Sequence, residues 1–176
     1  MSKESFITRY KEIEATDLLD QSVAGFWNIL LSQYFNNGHN IIEYDRRPGR
    51  DNSLHMDIVV SSTDGNLCKA VFLVVNNLKR ECEARSAEWA TAIEQLTGHL
   101  QDIREAQQSY RYRDLYAAIS SGTRVQFYQL RPTMQTLEDL PFGHPGKAYE
   151  LQQDETEIHE ILNYLLSTCM QSIKKE

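Results

Sequence analysis

Cysteine is scarce in this chain: Cys68, Cys82 and Cys169 are three residues at scattered positions. An odd, unclustered set argues against a disulfide framework or a structural zinc site. Five histidines (39, 55, 99, 144, 159) add no zinc-ligand spacing. Proline is also scarce, with four residues, three of them between 132 and 145. That cluster reads as an irregular surface loop, and nothing else reads as a linker, so residues 1–176 are expected to form one domain with a core over about 17–170. No apolar run reaches the ~18 residues that a membrane span needs. The start, MSKESFITRYKEIEATD, has no apolar leader segment. Positive charge is in deficit as well. Eighteen Lys+Arg stand against twenty-five Asp+Glu, a net charge of -7, which argues against a histone-like or polybasic membrane-surface protein. The expectation is a reduced intracellular location, cytoplasm or nucleus, with no membrane partner. No glycine-rich phosphate loop or G-x-S-x-G elbow is present.

What the chain does have is a folding pattern. At 176 residues and 41% hydrophobic content it is long and apolar enough to hold a core. Leu19, Val23, Phe26, Leu30 and Tyr34 recur at helical spacing, so a helix is expected from about Asp17, its N-cap, to Asn36. Three strand-like runs follow at 40–47, 54–62 and 67–79, the second ending in an Asp64-Gly65 turn. Trp89, Ala92, Ile93, Leu96, Leu100 and Ile103 mark a second helix over about 86–108. Two strands around Ser121-Gly122 come next, and then a helix from Asp154 with Glu157 completing a capping box. Strands alternating with helices predict an α/β, three-layer fold with a mixed central β-sheet flanked by helices.

The polar residues in this frame are few. His55, Asp57 and Val59 share one strand face, and Asn77 and Lys79 end the next run. On pattern alone, a partly exposed Asp57–Lys79 salt bridge at the end of the sheet accounts for the pair, since a buried charge requires a partner or a metal. On the second helix, Glu88, Gln95 and His99 line one border of the apolar stripe, at an angle that would flank the sheet.

Taken together, HMDIVV (Asp57), VFLVVNNLK (Asn77, Lys79) and AIEQLTGHL (Gln95) resemble the PD-(D/E)XK nuclease superfamily, the restriction-endonuclease-like fold. The resemblance extends to AAISSGTRVQFYQL and would cover roughly residues 17–170. It implies that Asp57 and an acidic residue two before Lys79 hold Mg²⁺ or Mn²⁺ as hard oxygen ligands. It also implies that Lys79 orients the attacking water and that Gln95 sits beside the site. This chain departs from the pattern at the acidic position, which is Asn77. Within the resemblance, Glu88 is the candidate to replace that carboxylate and to share the metal with Asp57. Glu81, Glu83, Asp17 and Asp20 stand behind it. A symmetric turn at Asp64-Gly65 would pair Asp57 with about residue 72, five positions short of Asn77, too far for a shared metal without a bulge or splay.

Arg46, Arg47 and Arg50 precede Asp57 and offer paired hydrogen bonds to phosphates of DNA or RNA; a solvated turn explains them equally. Arg104, Tyr110, Arg111, Tyr112 and Arg113 mix cations with aromatics and read more simply as a helix end. The resulting expectation is a nuclease-like protein with a degenerate site, a nucleic-acid- or protein-binding module with weak or no hydrolysis. The alternatives are an active Mg²⁺-dependent nuclease using Asp57, Lys79 and Glu88, or a scaffold with Trp27, Trp89 and the last helix as its interface. A homodimer is implied by the resemblance alone.

Overall fold

The computed structural model describes residues 19–35, 40–48, 54–62, 69–75, 84–121 and 123–171. In chain order the elements are α1 (Leu19–Phe35), β1 (Asn40–Pro48), β2 (Leu54–Ser62), β3 (Lys69–Val75) and α2 (Ala84–Ala106). After a 3₁₀ turn at Gln108–Tyr110 come β4 (Leu115–Ser121), β5 (Arg124–Leu130), the short β6 (Glu138–Asp139) and β7 (Tyr149–Glu150), and α3 (Glu155–Gln171).

All seven strands form one mixed sheet in the order β1-β2-β3-β4-β5-β6, with β7 also on β5. Its pairs are antiparallel except β3–β4, which is parallel. A parallel pair requires a crossover, and α2 supplies it. The alternation of β4 decides which helix covers which face. Tyr116 and Ala118 pack with Phe26, Trp27, Leu30 and Leu31 of α1 and with Ile158, Ile161, Leu162 and Leu165 of α3. Leu115, Ala117 and Ile119 pack instead with Ala92, Leu96, Leu100 and Ile103 of α2. Helices therefore cover both faces, the layered α/β arrangement expected from the periodicities. Because β4 is buried on both faces, it reads as a near-continuous apolar run.

Each face is also fixed by a tryptophan. Trp27 Nε1 donates to Ser120 Oγ at 2.6 Å on the α1/α3 side. Trp89 Nε1 donates to the Tyr128 hydroxyl at 2.7 Å on the α2 side. Trp27 is wholly buried, so it belongs to the core and not to the interface that a scaffold role would give it.

The proline-containing stretch is the irregular, largely exposed segment expected. It carries β6, buries Leu140, and is tied down along its length. Arg131 pairs with Glu138, Gln126 Nε2 donates to Asp139 Oδ1, and the Phe142 ring stacks on Tyr164 at 4.5 Å. At the start of α3 the capping box is replaced by a different arrangement. The Asp154 carboxylate accepts from the Glu150 N–H at 2.7 Å and from Lys147 Nζ at 2.9 Å, and Glu157 also takes Lys147. A lysine from the preceding loop thus outcompetes the local cap. Burial alone would raise the Asp154 carboxyl, but the Glu150 N–H and Lys147 outweigh it and hold it below its ordinary range.

Candidate functional site

The hairpin register fixes where Asp57 stands. It pairs with Asp45 on β1 and with Leu73 on β3. A symmetric turn would have paired it with residue 72, and one residue of register exchanges the two faces of a strand. The observed register places Asp57 on the face shared by Val71, Leu73 and Val75. Across the parallel pair, Val71 and Leu73 match Ala117 and Ile119, the β4 residues covered by α2. Asp57 therefore lies on the α2 face, close to the carboxyl end of β3. Asn77 and Lys79 lie outside the described residues, as does Arg50.

How α2 sits on that face follows from its two borders. Arg104 Nη2 donates to Leu130 O at 2.7 Å and Arg113 O at 3.2 Å, where β4 begins and β5 ends. Gln101 Nε2 bonds Gln135 O, and Met134 and Leu137 pack onto the same cluster. Segment 131–137 therefore covers the Thr97–Gln101–Arg104 border, and Thr97 is buried. Gln95 lies about 160° round the helix from Thr97 at 100° per residue. Its border is on the opposite side of the helix, away from segment 131–137. Gln95 is exposed and His99 half-buried. The expected boundary row is thus shifted outward at Gln95, because the distant 131–137 segment moves the buried sector to the other border.

The register also separates the arginines. Arg47 pairs with His55 and Arg46 with Met56, so Arg47 is on the Asp57 face and Arg46 on the opposite one. Arg104 is a structural clamp on backbone carbonyls, with burial lowering its guanidinium from the ordinary value and Asp114 opposing that. Tyr110 is in the core and Tyr112 is exposed.

Among the described residues, no group of three or more His, Cys, Asp or Glu side chains stands ready to hold a metal, and no helix is long and apolar enough to cross a membrane. Comparison with known families, with curated proteins and with solved structures finds no match to the chain. Sequence reasoning missed Asp45. Its place opposite Asp57 is a matter of strand register, which local pattern does not supply.

Proposed function

We propose that the chain is a PD-(D/E)XK nuclease-like domain that works as a binding module for nucleic acid or protein, with weak or no phosphodiester hydrolysis. The observation that carries this reading is the position of Asp57. By register it stands near the carboxyl end of the β3–β4 parallel pair, in line with the β4 residues covered by the crossover helix α2. Ligands of open α/β sheets gather outside the carboxyl ends of the strands. The element order β1-β2-β3-α2-β4 agrees with the order that the resemblance implies. Asn77 in place of a carboxylate removes a full negative charge from the implied metal site, which favours binding over cutting. Arg47 stands opposite His55 in the β1–β2 register.

A second reading, an active nuclease with Mg²⁺ or Mn²⁺ between Asp57 and Glu88, is favoured by one observation. By helical spacing, position 88 shares a border of α2 with Gln95 and His99. With either reading go an intracellular location and, by resemblance, a homodimer.

The test is cleavage and salt-dependent binding of labelled single- and double-stranded DNA and RNA, with Lys79→Ala and Glu88→Ala beside wild type. Binding that weakens with salt and with Lys79→Ala, without cleavage, is the expected result. Metal-dependent cleavage lost in both variants establishes the active enzyme. No binding and no cleavage leaves protein as the partner class.

A further inference from the structure

The run of cations and aromatics between α2 and β4 is sorted by the structure into two groups. Arg104 is held by backbone carbonyls, and Tyr110 is buried in the core. Arg111, Tyr112 and Arg113 remain, on the turn that leads from the 3₁₀ segment into β4. Tyr112 is 79% exposed, against 37% for Phe142. Phe142 has Tyr164 as a stacking partner, whereas the Tyr112 ring meets the Arg111 guanidinium, 5.7 Å from its centre. The two arginines differ from the other described cations in lacking an acid. Arg124 pairs with Glu150, Arg131 with Glu138, and Lys147 with Asp154 and Glu157. Among the described residues neither Arg111 nor Arg113 forms an ion pair. No carboxylate occurs from Ala106 to Arg113, and the adjoining Asp114 acts on Arg104. In a chain of net charge -7, two unpaired arginines flanking an exposed ring complement a polyanion that also carries flat groups.

We infer that Arg111, Tyr112 and Arg113 form a contact surface for single-stranded nucleic acid, with a base stacked on the Tyr112 ring and phosphates met by the two guanidinia. Every base has a π-face, so such stacking is tolerant of sequence, and the arginine fork matches a phosphate. In a duplex the base faces are already stacked, so a single strand is the form that fits. The turn is held in place before any ligand arrives. The Arg111 N–H donates to Gln108 O at 3.1 Å and the Arg113 N–H to Tyr110 O at 3.3 Å, while Arg113 O accepts from Arg104. The surface lies at the amino end of β4, the end of the sheet opposite Asp57. It narrows the binding-module reading to nucleic acid but rests on none of the residues at the Asp57 end, so the two can fail separately.

The probes are fluorescein-labelled oligo(dT) and oligo(rU), with a mixed-sequence duplex for comparison, bound to the full chain at rising salt and followed by anisotropy. Wild type should bind the single strands more tightly than the duplex, and any difference between dT and rU identifies the sugar preferred. Tyr112→Ala should weaken single-strand binding roughly fivefold or more, while Tyr112→Phe, which keeps the ring, should retain it. Arg111→Gln and Arg113→Gln should each flatten the slope of log affinity against log salt by about 0.7. Tyr112→Trp should bind with quenching of its added indole emission, a sign of direct stacking. The Tyr112 side chain is exposed, so Tyr112→Ala should melt with wild type, and its lost binding is then not lost fold. Wild type that binds no single strand, or binds without salt dependence, overturns the proposal. Binding unchanged in Tyr112→Ala also overturns it, and if Lys79→Ala abolishes that binding the strand lies at the Asp57 end instead. Binding weakened by Tyr112→Ala and unchanged in Lys79→Ala upholds this surface independently of the Asp57 site.

Discussion

Arg104 is the side chain whose removal is most informative about how α2 is held. Its guanidinium donates to Leu130 O at 2.7 Å, Arg113 O at 3.2 Å and Arg131 O at 3.2 Å. The first two bonds are partly buried and the third is exposed. Its Nε is buried with no acceptor among the described residues. Hydrogen bonds to a charged group contribute about 1.5–3 kcal/mol each, and a buried unsatisfied donor costs about 1–3 kcal/mol. Counting the two sheltered bonds at about 2 kcal/mol each and the orphan at about 1 kcal/mol leaves a net of about 3 kcal/mol. Arg104→Met keeps most of the volume and removes every donor, so it should lower the free energy of unfolding in urea by about 3 kcal/mol. For a chain of this size that is a fall of about 6–12 °C in Tm. Arg104→Lys keeps the charge but not the fork, and should lose about half as much. An Arg104→Met variant within about 1 kcal/mol of wild type, below the loss of a single charged hydrogen bond, would refute the claim that this clamp fixes α2 where β4 starts and β5 ends.

Other perturbations follow from the same packing. A Cβ at Gly98, inside α2, meets nothing within 4 Å, so Gly98→Ala should stabilise by about 1 kcal/mol through helix propensity, read by chemical denaturation. Gly143 has φ +87° and a Cβ there would stand 2.6 Å from the Tyr149 hydroxyl, the acceptor of the His144 N–H. Gly143→Ala should therefore destabilise by about 1–3 kcal/mol, measured the same way. Burial pushes the Tyr128 phenol up to about 12, while the Trp89 hydrogen bond favours its ionised form and opposes this. Its folded value exceeds the unfolded one, so this stabilisation is complete below about pH 10 and is lost as pH rises toward 12. Trp89→Phe should move the Tyr128 step higher still, as followed by phenolate absorbance.

The fold was legible where one period ruled a whole segment. β2 is expected and found at 54–62, and the 3.6-residue stripe of α2 is the face that meets β4 and β5. What local pattern could not supply was any contact made by a distant segment. Gln101 on the next turn is held by Gln135 from the distant 131–137 segment, and Lys147 captures Asp154 and Glu157 from the loop before α3. For the candidate site the sequence offers residue types, Asp57 and the Glu88, Gln95 and His99 row, but not the β1 and β3 positions that Asp57 pairs with. Those pairings depend on strand register, and a one-residue change of register exchanges strand faces.

The placement of the two tryptophans gives the molecule a built-in optical readout of its layers. Trp27 is bonded to Ser120 beneath α1 and α3, and Trp89 to Tyr128 beneath α2. Each indole is quenched or shifted by the detachment of its own helical layer, and the sheet lies between them. Replacing one indole by phenylalanine leaves the emission of the other as a monitor of a single face. The order in which the two layers leave the sheet can then be followed in one unfolding experiment, with no external label.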